Sequence, residues 1–163
     1  MLNRTYRDQA CSIARALEVV GERWTLLILR DTYRGIRRFD DLQASLGITR
    51  GVLTQRLSWL VDEGLLERRP YQTNPERFEY LPTTKGRALS PVLMHLLLWG
   101  DRYYPSPGGP PQIVEHTECG GLVTPQLTCD QCGQQLRPSE ISIRPRTKPA
   151  RSRRAAARRA DVA

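Results

Sequence analysis

The fold of this chain is decided by one stretch, Ile48-Thr49-Arg50-Gly51-Val52-Leu53-Thr54-Gln55-Arg56-Leu57-Ser58-Trp59-Leu60-Val61-Asp62-Glu63-Gly64-Leu65. An apolar stripe repeats along it at the period of an α-helix, at Leu53, Leu57, Leu60 and Val61. Thr49 is suited to begin this helix, because its hydroxyl can accept a hydrogen bond from a free amide of the first turn. Gly64 predicts where the helix ends. The stretch therefore predicts a helix with one buried face and one open face.

The open face carries neither an acid nor a large apolar side chain, and its polar groups can donate to a phosphate or to a base edge. Arg50 suits a paired contact with guanine and Gln55 a paired contact with adenine. Gly51 lets the backbone approach closely, and Arg56 is expected nearer the helix edge as a phosphate contact. The residues predicted to contact DNA on this helix are Thr49, Arg50, Gly51, Thr54, Gln55, Arg56 and Ser58.

The segments on either side favour a DNA-binding unit over an ordinary helical hairpin with a solvated polar face. Before the stretch, an apolar repeat at Phe39, Leu42 and Leu46 ends at Gly47, which predicts a helix-turn-helix. After it, residues 65–71 and 77–81 alternate as two strands around the turn residues 72–75. A hairpin in this position is a wing, and its basic side chains could reach phosphates or the minor groove. They are Arg68, Arg69 and Arg77.

The remaining helices are expected on both sides of this unit. Residues 11–20 and 22–33 have helical apolar spacing, and residues 31–38 are expected to form a polar connection. Thr83 is expected to cap one long helix that Pro91 kinks, with His95 as a structural residue. Its apolar surface is wider than a small core needs, which favours a dimer interface over plain core. The surface comprises Leu89, Val92, Leu93, Leu96, Leu97 and Trp99.

A proline- and glycine-rich segment, residues 105–111, predicts a linker after the helical part. Beyond it, His116-x2-Cys119 and Cys129-x2-Cys132 form two paired-ligand motifs, each followed by glycine. One histidine and three thiolates are a common set for structural zinc, so residues 112–138 are predicted to form a zinc-ribbon-like module. Two alternatives stay open: a redox pair at Cys129 and Cys132, and a ribbon that has lost its metal.

Composition limits the classes of protein to which the chain can belong. The formal net charge is +8 over 163 residues, but the last 20 residues alone carry eight basic side chains and one acid. Residues 139–163 are therefore expected to be a basic, disordered tail, which either adds affinity for DNA or only solubilises the chain. No apolar run could span a membrane, and the polar start lacks a signal peptide, which predicts a cytoplasmic protein with reduced cysteines.

Taken in order, these motifs resemble the HxlR family of bacterial winged-helix transcription regulators, over about residues 8–104. The matching stretches are Cys11-Ser12-Ile13-Ala14-Arg15-Ala16-Leu17, Gly21-Glu22-Arg23-Trp24-Thr25-Leu26-Leu27-Ile28-Leu29, Arg38-Phe39-Asp40-Asp41-Leu42, Leu53-Thr54-Gln55-Arg56-Leu57, Leu60, Gly64-Leu65, Arg68, Arg77-Phe78-Glu79-Tyr80, Thr83, Gly86 and Trp99-Gly100. The resemblance implies a homodimer joined by its first and last helices, with each winged helix in a major groove of double-stranded DNA. Two features depart from it: Ser12 stands where proline is frequent, and minimal members lack the cysteine-rich module.

Cys11 is a candidate sensing residue. It stands at the start of the first helix, where the helix dipole favours a thiolate, and Arg7 and Arg15 are close in sequence. In some proteins similar to this one, the matching cysteine senses oxidants or electrophiles. The alternative is a small buried apolar residue, which is the usual role of a lone cysteine.

The sequence thus predicts an α+β, mainly α, fold: a winged helix-turn-helix with a long C-terminal dimerisation helix and a small zinc-ribbon-like module. We expect a DNA-binding transcriptional regulator, possessing no enzymatic activity, that binds operator DNA as a homodimer and responds to a redox or electrophile signal. Two other hypotheses are a thiol redox protein using Cys129 and Cys132, and a protein-interaction module with a vestigial helix-turn-helix.

Overall fold

A computed structural model describes Tyr6 and residues 10–144, and the chain divides into two compact units, Met1–Val123 and Thr124–Ala163. Of the predicted basic tail, residues 139–163, the structure describes residues 139–144, and the rest lies outside the described residues. The elements are α1 (Ser12–Val20), α2 (Thr25–Tyr33), α3 (Phe39–Leu46), α4 (Arg50–Asp62), β1 (Leu66–Thr73), β2 (Glu76–Pro82), α5 (Thr84–Arg87), α6 (Ser90–Tyr103), β3 (Leu127–Thr128), β4 (Gln135–Leu136) and a 3₁₀ turn at Pro138–Glu140. In the part of the chain that the structure describes, no helix has the length and apolarity needed to cross a membrane.

The helix-turn-helix forms where the sequence predicts it. The hydroxyl of Thr49 accepts from the backbone N–H of Val52 at 3.4 Å and so begins α4. Gly47 has φ of +63° after α3, and Gly64 has φ of +66° after α4. A left-handed backbone conformation has little steric cost only for glycine, so these two glycines determine where both helices end.

The core of the first unit collects around one face of α4. Leu53, Leu57 and Leu60 are at most 1 % exposed, which confirms the predicted stripe. They join buried side chains from α2, α3 and the start of the wing, namely Ile28, Leu29, Leu42, Ile48, Leu65 and Leu66. The fourth predicted position, Val61, is only partly buried against this cluster. One helix face therefore closes the core while the opposite face stays in solvent.

The predicted polar connection at residues 31–38 is wrong at its start, because Asp31 and Tyr33 belong to α2. The carboxylate of Asp31 is fully buried and accepts from the Ser45 hydroxyl of α3 and the Arg30 Nε, both at 2.8 Å. Its backbone carbonyl accepts from the Ile36 N–H at 3.0 Å. Asp31 is therefore a structural link between α2 and α3.

The wing is an antiparallel hairpin with Leu66 opposite Pro82 and Arg68 opposite Tyr80. Its register shifts between Pro70 and Gln72. A third short segment joins it, since Arg38 pairs with Glu79 as an isolated bridge. Thr83 then ties the wing to the end of α4, because its hydroxyl donates to the Gly64 carbonyl at 2.7 Å and accepts from the Gly86 N–H at 3.0 Å.

The predicted long helix after Thr83 is two helices, α5 and α6. Pro91 has no N–H to donate to the Arg87 carbonyl, and its ring would clash there, so α5 ends at Arg87. Pro91 instead stands in the first turn of α6, where a missing N–H costs nothing. No residue of α6 is buried in this chain.

The junction of α5 with the wing generates a stability prediction. Gly86 is buried, and a Cβ placed on it would lie 2.1 Å from the Leu65 carbonyl oxygen. Gly86→Ala should therefore lower the free energy of unfolding by about 1–3 kcal/mol, as overpacking of a tight site does. Gly100 of α6 is the matched control, because an added Cβ meets nothing within 4 Å there. Urea unfolding that gave the two variants equal stability would contradict the close contact at Gly86.

Candidate nucleic-acid interface

The candidate interface begins with the solvent face of α4. Successive helical residues are rotated by about 100°, so Arg50, Thr54 and Ser58 lie within about 80° of each other, and Gly51 and Gln55 extend the same face. Of the residues predicted to contact DNA on this helix, six are exposed: Thr49, Arg50, Gly51, Thr54, Gln55 and Ser58. The structure thus brings these six together on one surface that carries no acidic residue of α4 itself.

Arg50 is held in place by residues of α3 that the sequence analysis did not single out. Its guanidinium lies 4.6 Å from the Phe39 ring centroid and 3.5 Å from the Asp40 carboxylate. Both members of the ion pair are mostly exposed, so the pair itself adds little stability. The contacts still restrict where the guanidinium can lie. In the sequence, Phe39 is visible only as part of an apolar repeat, because no local pattern indicates that Arg50 of the neighbouring helix stacks on its ring.

Arg56 does not lie on this face. It is two residues from Ser58, so the two side chains are separated by about 160° around the helix. The Arg56 side chain is 20 % exposed, and its Nε lies 3.8 Å from the Glu22 carboxylate. The phosphate contact of Arg56 stays a prediction, and to make it the side chain would have to leave its carboxylate partner and a mostly buried position.

The wing presents its basic residues unequally. Arg68 is exposed, with its guanidinium 3.3 Å from the Phe78 ring centroid. Arg77 is exposed near the tip of the hairpin. Arg69 instead makes two hydrogen bonds to the Glu79 carboxylate, at 2.7 and 3.0 Å, which reduces its availability to a phosphate. Arg68 and Arg77 are consequently the better placed of the three predicted wing contacts.

One further basic residue beside the wing was missed by sequence reasoning. Arg38 is exposed at the start of α3, and its guanidinium lies 4.5 Å from the Tyr71 ring centroid of β1. The sequence analysis assigned Arg38 to the end of a polar connection, because the pairing of Arg38 with Glu79 across the chain has no local signal. Its contact with Tyr71 makes Arg38 a further basic residue beside the wing.

Cys11 lies directly before α1 and is exposed. Its side chain makes no capping hydrogen bond to the helix, so the thiol is open to reagents in this chain. Arg15, which the sequence analysis placed beside it, donates to the Ser12 hydroxyl at 3.3 Å. Arg7 lies outside the described residues. The predicted alternative of a buried Cys11 does not hold within this single chain.

The first predicted metal-ligand pair forms a tight turn in the unit Met1–Val123. The His116 N–H donates to the Gly121 carbonyl and the Gly120 N–H donates to the His116 carbonyl, both at 2.8 Å. Glu115 and Leu122 pair as an isolated bridge at its base. The His116 Nδ1 lies 3.2 Å from the Cys119 Sγ, so this turn brings its two predicted ligands together.

The second pair forms a similar turn in the unit Thr124–Ala163. The Cys129 N–H donates to the Gln134 carbonyl and the Gly133 N–H to the Cys129 carbonyl, both at 3.0 Å. The backbone N–H groups of Cys132 and Gln131, and then the Cys132 thiol, donate to the Cys129 sulfur and lower the pKa of Cys129. Across Tyr6 and residues 10–144, no three His, Cys, Asp or Glu side chains are grouped to share a metal ion. The zinc site therefore stays a prediction.

Comparison with known proteins identifies the first unit. Residues 19–107 match the model of the HxlR-like helix-turn-helix family. An uncharacterized HTH-type transcriptional regulator of Mycobacterium tuberculosis is 45 % identical over 141 residues, which cover 86 % of this chain and 89 % of the relative. The uncharacterized HTH-type transcriptional regulator YdeP of Bacillus subtilis is 31 % identical over 96 residues, covering 58 % and 75 % of the two chains.

Solved structures agree with the observed fold. The crystal structure of PA1607, a proposed transcription factor, has a TM-score of 0.75 and 32 % identity, covering 85 % of this chain and 96 % of its own. The redox regulator HypR in its oxidized form has a TM-score of 0.53 and 29 % identity, covering 56 % and 96 %. These likenesses extend over the same winged helix-turn-helix that carries the exposed face of α4. The chain therefore belongs to the HxlR-like helix-turn-helix family of DNA-binding transcriptional regulators.

Proposed function

We propose that this regulator binds operator DNA as a homodimer, with α4 of each protomer in a major groove and each wing beside the backbone. The observation that carries the proposal is the open face of α4, whose six exposed predicted contacts include no acid or large apolar group. Base edges are read by Arg50 and Gln55, while Arg68 and Arg77 contact phosphates. The protein acts in the cytoplasm by binding and release, and the family gives no support to catalysis.

Apolar surface on α6 supports the homodimer. Val92, Leu96 and Trp99 are 47 %, 45 % and 53 % exposed on this helix. A groove of about 730 Å³ between α6 and α2 is lined largely by apolar side chains, among them Leu26, Leu93 and Leu97. Surface of this kind is costly in water and is typical of a subunit interface. Ile13 and Leu17 of α1 are also exposed, at 69 % and 46 %, and fit an interface built from the first and last helices.

A redox signal is the second proposal, and it centres on Cys11. The thiol is exposed before α1, and the structurally similar HypR is described as a redox regulator. Hydrogen peroxide would convert the thiol to a sulfenic acid and release water. A polar, bulkier group at the start of α1 would disturb packing between subunits, because α1 is one of the two proposed interface helices.

The reading helix gives the first functional test. Arg50→Ala and Gln55→Ala should each weaken binding to the operator by about 1–3 kcal/mol while changing binding to random DNA little, since each removes a base contact. Fluorescence anisotropy with operator and scrambled duplexes measures both affinities. Operator sequences for this measurement come from selection of bound fragments from genomic DNA. Unchanged operator affinity in both variants would exclude this face as the reader.

Controls on the wing separate base reading from attraction to phosphate. Arg77→Ala should weaken binding to operator and scrambled DNA equally and should lower the salt dependence of binding, because it removes a phosphate contact. Arg69→Ala should have the smaller effect, since Arg69 is already engaged by Glu79 at 2.7 Å. The reverse order for these two variants would contradict the proposed wing geometry.

The dimer proposal is tested at Leu96. Because this side chain is 45 % exposed in the single chain, Leu96→Glu should leave each protomer folded but place a charge within the apolar interface. Sedimentation should find monomers, and affinity for the operator should fall by at least about tenfold through lost avidity. Leu122→Glu, at a side chain that is 73 % exposed and belongs to neither α1 nor α6, should remain dimeric. An intact Leu96→Glu dimer would remove α6 from the interface.

The sensing proposal is tested by comparing Cys11→Ser with the parent protein. Treatment with hydrogen peroxide should weaken operator binding by the parent at least about tenfold, and a reductant should restore it. Cys11→Ser should bind the operator normally and should not respond to peroxide. If the response persists without Cys11, the sensing group lies elsewhere, and Cys129→Ser then reports whether it is the second cysteine pair.

A further inference from the structure

We propose that a cavity at the base of the wing binds the phosphate group of a small phosphorylated metabolite, held by the guanidinium groups of Arg37 and Arg87 and by the hydroxyl of Ser90. The cavity has a volume of about 430 Å³ and lies within the unit Met1–Val123. Its lining residues come from the end of α2, the segment before α3, the end of β2 and the junction of α5 with α6. They are Thr32, Tyr33, Arg37, Pro82, Arg87 and Ser90. Binding there would require neither DNA nor a second protomer.

The cavity is lined by positive charge without a matching negative charge. Arg37 and Arg87 stay protonated at any pH at which the protein is folded, and none of the six lining residues is acidic. Among the described residues, neither arginine forms an ion pair with a carboxylate. Two guanidinium groups that line one small space repel each other, and an anion between them would relieve the repulsion. The electrostatics therefore favour a negatively charged ligand.

Arg37 also has an unused hydrogen-bond donor inside the protein. Its Nε is buried, and no acceptor among the described residues takes a hydrogen bond from it. The backbone of Arg37 is held by the wing, since its carbonyl accepts from the Tyr80 N–H at 2.8 Å. A buried donor of a charged group that lacks an acceptor is costly, and an anionic oxygen is the acceptor that this group binds most strongly.

Two of the other lining side chains already have partners and serve as walls. The Tyr33 hydroxyl donates to the Gly86 carbonyl. The Thr32 hydroxyl donates to the Leu29 carbonyl at 2.8 Å. Both hydroxyl hydrogens are therefore unavailable to an anion, which leaves the two guanidinium groups and Ser90 as the donors of the site.

Arg87 is held in place at the cavity. One of its terminal nitrogens donates to the Pro82 carbonyl, and a guanidinium has four further N–H groups to offer. Burial raises the pKa of Tyr33, and the charge of Arg87 partly offsets this rise, so the guanidinium lies near the Tyr33 hydroxyl. Ser90 is the first residue of α6, a helix of 14 residues with no acid in its first turn. The positive end of that helix dipole adds to the field of the two arginines.

The donor set suits a phosphate better than a carboxylate. A phosphate ester has three terminal oxygens, so it can accept from two guanidinium groups and one hydroxyl at once, whereas a carboxylate has only two. The volume of about 430 Å³ is near the lower end of the range of about 300–1,000 Å³ that is usual for small-molecule sites. The Tyr33 and Pro82 side chains provide apolar surface for a short carbon skeleton beside the phosphate.

The position of the cavity favours a free phosphate ester over the backbone of DNA. Pro82 lies opposite Leu66 at the base of the hairpin, while Thr73 and Glu76 pair next to its tip. The cavity is thus at the end of the wing away from the tip.

The test is calorimetric titration of the full chain with glycerol 3-phosphate at constant ionic strength, together with thermal unfolding in the same solutions. A ligand that binds only the folded protein raises Tm, so the parent should unfold at a higher temperature in glycerol 3-phosphate than in potassium chloride. Arg37→Met and Arg87→Gln should each raise Kd at least about tenfold, because each removes charge-assisted hydrogen bonds. Ser90→Ala should raise Kd by a smaller factor.

Lys85→Gln is the matched control. It removes one positive charge from α5 at a residue that does not line the cavity and whose Nζ lies 3.7 Å from the Glu63 carboxylate, so Kd should stay that of the parent. All variants keep the basic C-terminal residues, so any attraction of phosphate to them cancels in the comparison. In potassium chloride, Arg37→Met should be as stable as the parent. A purely structural Arg37 would make this variant less stable in chloride and in glycerol 3-phosphate alike.

Four results would overturn the assignment. They are a parent Tm that rises no more in glycerol 3-phosphate than in chloride, a parent Kd retained by Arg37→Met or Arg87→Gln, equally tight binding of acetate, and equal destabilisation of Arg37→Met in both solutions. If Arg37→Met instead weakens operator binding in phosphate-free buffer more than Lys85→Gln does, the cavity receives a DNA phosphate and the metabolite is excluded. Because the titration contains no DNA, failure of the proposed operator binding would leave its result unchanged.

Discussion

The structure depends on a constraint on α4: one helix must close the core with one face and present the proposed DNA-contacting face to solvent with the other. Leu53, Leu57 and Leu60 are buried at a spacing that covers less than half of the helix circumference. The positions on the opposite side of the helix are then not needed for packing and can be polar. Losing the apolar stripe would therefore abolish reading as well as folding, because the same backbone positions both faces.

Two polar links fix the direction in which α4 points. Asp31 is fully buried and joins α2 to Ser45 of α3, the helix that packs before the turn into α4. Thr83 joins the far end of α4 to the wing through the Gly64 carbonyl. A buried carboxylate is retained only when hydrogen bonds replace its lost water, and its two close donors do so here. Hydrogen bonds thus set the tilt of α4 against the wing, while burial of the leucines supplies the free energy that favours folding.

The sequence predicted the features that depend only on residues close together in the chain. The caps at Thr49, Gly47 and Gly64 and the leucine stripe follow from backbone conformation and helical period, and the structure reproduces all of them. Features that depend on contacts between distant residues could not be predicted in this way. Asp31 was expected in a polar connection, because nothing local indicates that Ser45 of α3 lies beside it, and the 3.8 Å approach of Glu22 to Arg56 has no local signal either. The break before α6 could have been predicted from the sequence, because Pro91 does not fit in the interior of a helix that begins at Thr84.

The distribution of charge bears on the proposed homodimer. Of the formal charge of +8, the last 20 residues carry most, so the folded part is close to neutral. Within it, Arg56 and Arg69 are engaged by carboxylates at 3.8 and 2.7 Å. Few free positive groups per protomer therefore face DNA, and each phosphate contact contributes only modestly to affinity at cellular salt concentration. In the proposed homodimer, a second copy of α4 held at a fixed distance would raise affinity through avidity without adding charge, and it would make recognition depend on the spacing of two half-sites. Any signal that alters α1 or α6 would then act on DNA binding through this spacing, with no need to reach α4 itself.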